Sequence, residues 1–263
     1  QHIKQGKIQL DLLNSMDIPY DIIEKDDSKF EEQILSLIEI TKKENKPVVL
    51  LIRKGTFAKY KKQSNDDVNE GMKREEALEL ILNSVDRDAI IVSTTGKTSR
   101  EIFEIRKRNN QSHEQDFLTV GSMGHCSSIA LGIALSKPNR QIICIDGDGA
   151  MLMHLGSLTS IVSLNPKNFR HILINNEVHE SVGGQSTAAK HVDLSAIVKA
   201  TGISQIFKAN TAIELKSKIN VFMECDGPSF IEVKVSPGSR ENLGRPTIKP
   251  SDNKEKFMKF LKK

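Results

Sequence analysis

The stretch "QIICIDGDGAMLMHLGSL", residues 141–158, decides the fold. Ile142, Ile143, Cys144 and Ile145 make a continuous apolar run, as in a strand buried on both faces, and the run stops abruptly at Asp146, Gly147, Asp148 and Gly149. Apolar residues resume three apart at Leu152, Leu155 and Leu158, so the spacing predicts one helix over residues 150–164. In open parallel sheets, ligands sit outside the carboxyl ends of the strands, where the following helix points its unpaired N–H groups. Gly147 and Gly149 let the backbone come close to such a ligand, and Asp148 between them can reach a hard cation that neutralises it. The turn therefore suits Mg²⁺ with a phosphate ester. Taken alone it is more often a plain tight turn, and it is not the GxGxxG fingerprint of a dinucleotide fold.

Outward from this stretch, β-like and α-like segments alternate almost throughout, the pattern of a parallel sheet covered by helices. From residue 73, "REEALELILNSV", "SREIFEIRKR", "SSIALGIALS", "DLSAIVKATG" and "AIELKSKINVFMEC" read as helices. Between and after them, "AIIVST", "DFLTV", "HILIN", "SQIFKA" and "SFIEVKVS" read as strands, which completes a doubly wound α/β domain over residues 73–263. Residues 1–54 give a shorter set: a helix to about Met16, strand "YDIIEK", amphipathic helix "KFEEQILSLIEITKK" and strand "PVVLLIRK". The core of that last strand, "VVLLI", reads as buried on both faces. Residues 55–72, "GTFAKYKKQSNDDVNEGM", are polar and read as a linker.

Composition excludes several classes. At 263 residues with 38% apolar and 27% charged, the chain has the balance of a soluble globular protein with a sizeable core. Lys plus Arg exceed Asp plus Glu by only 38 to 34, scattered along the chain, so no nucleic acid partner is expected, and "DNKEKFMKFLKK" reads as a solvated helical tail. Cys126, Cys144 and Cys225 lack CxxC spacing, which indicates neither a disulfide framework nor a zinc site and fits a reducing cytoplasm. No apolar run approaches the roughly 20 residues of a membrane helix, so no membrane partner is expected. The absence of an initiator Met suggests that the chain begins within a longer one.

A second motif supports the first. "ILINNEVHESVGGQ" is another apolar strand, ending in Asn175 and Asn176, and 25 residues separate Gly149 from Asn175. That interval holds one helix, one loop and one strand, so Asp148 and Asn176 are expected to end neighbouring strands on one edge. Carboxylate and amide oxygens are both ligands that Mg²⁺ accepts. GDG, a helix and strand of this length, then NN: here the chain resembles the thiamine diphosphate (ThDP) dependent decarboxylases, from residue 73 to about 235.

The resemblance implies a doubly wound ThDP-binding fold with a partial second α/β domain at the amino end. Residues 1–54 would be the carboxy-terminal part of a pyrimidine-binding domain, and residues 73–263 the diphosphate-binding domain. It implies Mg²⁺ held by side-chain oxygens of Asp148 and Asn176 and the carbonyl of Val178. The diphosphate would meet Lys97 and Thr98 in "TTGKTSRE" and the amides of Gly149 and Ala150, with Gly147 in the same turn. In "TVGSMGHCSS", Met123, after Gly121 and Ser122, would wedge between the cofactor rings while the Gly121 carbonyl meets the aminopyrimidine. His179, Glu180 and Ser181 would face the reacting carbon, with His125 a weaker candidate, while His154 and His171 are read as structural. The expected reaction is decarboxylation of a small-molecule 2-oxo acid, phosphonopyruvate to phosphonoacetaldehyde and CO₂, with sulfopyruvate as the alternative substrate. Such sites lie between subunits of a homo-oligomer. The glutamate that promotes ylide formation in such enzymes would lie upstream of Gln1, so a cofactor-binding fragment without turnover is a further alternative. A Mg²⁺-dependent phosphotransfer domain using Asp146 or Asp148 is disfavoured, because no second acid cluster supplies its base.

Overall fold

In the computed structural model, which describes residues 3–58 and 71–263, contacts divide the chain into two units, Gln1–Asp66 and Asp67–Lys263. The first holds α1 (Ile3–Ser15), β1 (Tyr20–Ile23), α2 (Phe30–Glu44) and β2 (Val49–Ile52). β1 and β2 pair in parallel, Tyr20 opposite Val49 and Ile23 opposite Ile52. The "VVLLI" strand does not meet the expectation of burial on both faces: Val49, Leu50 and Leu51 are half-buried and Ile52 is exposed. The reason is local, since among the described residues β2 pairs with β1 alone and packs against α2. Of the expected linker, residues 59–70 lie outside the described residues. Its end is not linker: Met72 is buried in the second unit's core, and its carbonyl accepts the Ser236 amide at 2.8 Å.

The second unit runs α3 (Arg74–Asn83), β3 (Ile90–Ser93), α4 (Lys97–Arg108), β4 (Asp116–Leu118), α5 (Cys126–Ser136), β5 (Ile142–Gly147), α6 (Asp148–Met153) and α7 (Ser157–Leu164). It continues through β6 (Phe169–Asn175), a small hairpin of β7 (Val178–His179) and β8 (Gln185–Ser186), then α8 (Leu194–Thr201), β9 (Gln205–Ala209), α9 (Ala212–Glu224), β10 (Ser229–Lys234) and α10 (Pro250–Leu261). Six strands form one parallel sheet in the order β4-β3-β5-β6-β10-β9. Side chains alternate across it. Ile91, Ile143, Ile145, Ile172, Ile174, Ile231 and Val233 join the core made with α3, α4 and α9, whereas Ile90, Val92, Ile142, Cys144, Phe169, Leu173 and Phe230 join the one made with α5, α7, α8 and α10. β4 and β5 flank β3 on opposite sides, so the strand order reverses there and opens the crevice in which such sheets bind ligands.

Three features differ from the sequence expectation. The helix expected over residues 150–164 is two, α6 and α7, broken at His154–Gly156; a glycine inside a helix costs about 1 kcal/mol relative to alanine, which makes this the weak point of the segment. The carboxy-terminal helix is not simply solvated. Phe257 of α10 is 3% exposed and its ring centroid lies 5.4 Å from that of Phe117. Cys126 and Cys144, distant in sequence, lie buried as free thiols with Sγ atoms 3.9 Å apart beside Asp146, because α5 packs on β5. Among the described residues, no helix is long and apolar enough to cross a membrane.

Candidate functional site

Four loops converge at the carboxyl edge of the sheet. The first follows β3. Thr94 bonds through its amide to the Ile145 carbonyl (2.8 Å), and Ser99 Oγ closes the turn onto the Thr94 carbonyl (2.6 Å), so α4 starts with Lys97 and a buried Thr98 at the strand end. Gly96 is obligatory here: its φ is +98°, and a Cβ would lie 2.7 Å from Ser181 Oγ on a neighbouring loop. The second loop, residues 119–125, is fastened to the first by the Gly121 amide donating to Thr95 Oγ1 at 3.0 Å. It carries Ser122 and the half-buried Met123.

The third loop is the β5–α6 turn. Gly147 caps α6, and Asp148 is its first residue, 3% exposed, in the position where a carboxylate meets the positive end of the helix. Asp148 Oδ2 accepts the Thr187 hydroxyl. Burial pushes the Asp148 carboxyl up, only partly opposed by Thr187 and the Gly149 amide. Gly149 and Ala150 are buried behind it. A Cβ on Gly149 would meet His179 Cε1 at 2.6 Å and Met123 Cε at 3.2 Å, so the bare backbone, the wedge candidate and the imidazole come together at one point.

The fourth loop leaves β6, which neighbours β5, so Asp148 and Asn176 follow adjacent strands as their spacing predicts. Asn175 Nδ2 is tied to Glu232 Oε1 (2.7 Å), and its Oδ1 accepts the Glu177 amide (3.2 Å), holding Glu177 in a left-handed conformation (φ +59°). Asn176 is 7% exposed; its Oδ1 accepts the Val178 amide at 3.2 Å and its Nδ2 donates to Glu180 Oε2 at 3.2 Å. The β7–β8 hairpin then turns back to bring Thr187 to Asp148. Both Glu180 oxygens are engaged. Arg74 Nη1 and Asn176 Nδ2 donate to Oε2, the Gly238 amide donates to Oε1 (2.5 Å), and Lys97 Nζ lies 3.6 Å from Oε1. Burial raises the Glu180 carboxyl, but Arg74 first and then Lys97 more than reverse this and hold it below the usual range.

Lys97, Thr98, Gly121, Ser122, Met123, Gly147, Asp148, Gly149, Ala150, Asn176, Val178, His179, Glu180 and Ser181 thus all lie on these four loops or on the strand and helix ends that border them. His125 and His154 form an exposed ring pair, centroids 4.4 Å apart, while His171 is buried inside the sheet core. Sequence reading passed over Thr187, Thr95, Arg74 and Glu101, whose side chains fasten the loops. The string "GGQST" contains Thr187, but nothing in its spacing shows that a hairpin returns it to residue 148. The donors around Asp148 and Asn176, a buried carboxylate and an amide oxygen, fit a hard divalent cation, and the side-chain-free Gly149 leaves the backbone approachable by a phosphate.

Residues 94–233 match the family described as thiamine pyrophosphate enzyme, C-terminal TPP binding domain. Phosphonopyruvate decarboxylase of Streptomyces viridochromogenes is 38% identical over 185 residues, 70% of this chain and 45% of that protein. Sulfopyruvate decarboxylase subunit beta of Methanococcus maripaludis is 35% identical over 190 residues, 72% of this chain and 98% of that protein. The chain therefore spans less than half the length of the phosphonopyruvate decarboxylases it matches. A solved structure described as a thiamin diphosphate-dependent enzyme, isolated from Mycobacterium smegmatis, covers 68% of this chain and 35% of its own at a TM-score of 0.54; at 19% identity it supports the fold alone.

Proposed function

The chain belongs to the thiamine pyrophosphate (TPP) enzymes, and from that premise we propose that it supplies the diphosphate- and metal-binding part of a 2-oxo acid decarboxylase, a carbon–carbon lyase acting on phosphonopyruvate. The observation that carries this reading is that Asp148 and Asn176 directly follow two adjacent, paired parallel strands, with Gly149, Met123 and His179 meeting at one point. Asp148 Oδ, Asn176 Oδ1 and the Val178 carbonyl would hold Mg²⁺. Lys97, Thr98 and the amides of Gly149 and Ala150 would receive the diphosphate at the start of α4 and α6, with Gly147 completing the turn. Met123 would pack against the cofactor rings, and the carbonyl of Gly121, next to Ser122, would meet the aminopyrimidine. TPP, when bound, supplies the electron sink that decarboxylation requires.

The protein's share is positioning and proton handling. His179 lies against Gly149 and is the residue placed to hold or move a proton, and Ser181, packed at Gly96, offers a hydroxyl to the substrate. Glu180, with both oxygens occupied by donors, acts by holding its neighbours. Residues 1–54 serve as part of a pyrimidine-binding domain, and a further polypeptide, a second copy in a homo-oligomer or a separate subunit, completes the site in the cytoplasm. Sulfopyruvate is the second substrate reading, favoured by the M. maripaludis relative, which this chain covers almost end to end.

Titration of TPP with and without Mg²⁺, with carbon dioxide release from phosphonopyruvate and from sulfopyruvate measured in parallel, tests the proposal. Metal-dependent cofactor binding and faster release from phosphonopyruvate are expected. Cofactor affinity indifferent to Mg²⁺ overturns the site, and faster release from sulfopyruvate transfers the substrate.

A further inference from the structure

Arg74, the first residue of α3, is 4% exposed. Its Nε and Nη2 grip Glu101 of α4 at 2.6 and 2.8 Å, a bidentate fork onto a carboxylate that is itself 1% exposed, and its Nη1 donates to Glu180. One guanidinium therefore joins the start of α3 and the body of α4 to the hairpin that follows Asn176. Buried ion clusters seldom out-stabilise well-packed apolar residues of the same volume, so this one is weak evidence for stability and leaves room for a task in placement.

That task follows from the chemistry of an amide. Its nitrogen only donates and its oxygen only accepts or ligates, so an Asn beside a cation must be turned the right way round. Asn176 Nδ2 donates to Glu180 Oε2 at 3.2 Å while the Val178 amide donates to Oδ1 at 3.2 Å, so two partners fix the amide with Oδ1 turned away from Glu180, and Glu180 is the side-chain one. Flipping the amide would set Oδ1 against a carboxylate oxygen, two acceptors face to face. Glu180 in turn is kept in place by Arg74 and the Gly238 amide.

We propose that Arg74 and Glu180 are positioning residues: Glu180, clamped by Arg74, acts with the Val178 amide to hold the polarity of the Asn176 amide, so that Oδ1 is the atom offered to the cation that accompanies TPP. This rests on the reading of Asp148 and Asn176 as cation ligands. It gives Arg74, which lies outside the glycine-rich motifs, a role in metal binding, and it gives Glu180 one other than proton transfer.

The test is calorimetric titration of Mg²⁺ into the full chain at saturating TPP, with folding checked by circular dichroism. Glu180→Ala removes the acceptor. Arg74→Lys leaves a cation that reaches one carboxylate at a time. Each is expected to weaken Mg²⁺ by about tenfold or more, as loss of a group that orients a metal ligand does. The deciding arm repeats Glu180→Ala with Asn176→Asp, whose two oxygens make polarity irrelevant and whose charge Glu180 would repel; there the loss of Glu180 should leave Mg²⁺ affinity unchanged or improved. Single variants within twofold of wild type, or an equal weakening in both backgrounds, overturn the proposal. If Arg74→Lys does not fold, the two Glu180→Ala arms decide alone. Asp148→Ala separates the levels: if it leaves Mg²⁺ binding intact, the ligand assignment falls and the proposal with it, whereas if it abolishes binding and Glu180→Ala does nothing, only the positioning role falls.

Discussion

The His179 ring occupies the space that a side chain on Gly149 would need: a Cβ there would lie 2.6 Å from Cε1 and 2.9 Å from Nδ1. Gly149 is in the first turn of α6, where its backbone is ordinary helix, so its lack of a side chain answers to the imidazole and to Met123, not to φ. Alanine should push His179 aside while improving the helix by up to about 1 kcal/mol. Gly149→Ala is therefore expected to hold or raise the thermal midpoint and to lower decarboxylase turnover at least tenfold. Turnover that survives with a raised midpoint separates His179 from the chemistry.

Thr187 donates to Asp148 from the far side of the β7–β8 hairpin. Thr187→Val keeps the shape and removes the hydroxyl, freeing the carboxylate to turn. The expected outcome is a loss of about tenfold in Mg²⁺ affinity at saturating TPP, the usual effect of removing a partner that orients a metal ligand, with Thr187→Ser close to wild type. Equal Mg²⁺ affinity in the Val variant means that Asp148 needs no such hold.

What could be read from the chain and what could not divide along a physical line. Ile142 to Ile145 and Ile172 to Ile174 announce a doubly wound sheet because buried parallel strands are apolar on both faces, and Asp148 and Asn176 stand out because polar residues follow those runs at an interval one helix and one strand can fill. Such signals are local. Arg74, Glu101 and Glu180 meet across separations of 27 and 106 residues, and no periodicity reports a contact of that range. Gly156 lies inside an otherwise helical apolar pattern, and the period runs through it although the helix breaks there. Phe257 was hidden by lysines on the exposed side of α10.

Phe257 closes the core beside Phe117 near the carboxyl end of the chain. Its truncation to alanine should cost about 3–5 kcal/mol, the range for a buried phenylalanine. Urea unfolding followed by circular dichroism measures it. A cost under about 1 kcal/mol would restore the view of α10 as a solvated appendage.

The last prediction concerns pH. His171 is 1% exposed between Phe169 and Phe230, with Nε2 3.5 Å from Asp146 Oδ2 and Cys144 close by. Burial pulls the imidazolium down, but Cys144 and then Asp146 more than reverse this, and the His171 pKa is pushed up to about 10. In the unfolded chain it returns to about 6.5. A base whose folded pKa is raised contributes stability that is fully present below the unfolded value, because there both states carry the proton and the folded one holds it more tightly. As pH climbs from about 6.5 to about 10, His171 keeps its proton only in the folded state; the part of the contribution that Asp146 supplies falls with pH, while the part that Cys144 supplies is offset for as long as the unfolded thiol keeps its own proton. Above about 10 the Asp146 part is gone. Wild-type unfolding free energy should therefore decline over that window, and His171→Asn, less stable at pH 6, should lack this part of the decline. Parallel slopes for the two proteins between pH 6.5 and 10 would show that His171 is buried neutral, and that Asp146 takes its compensation from the thiols instead.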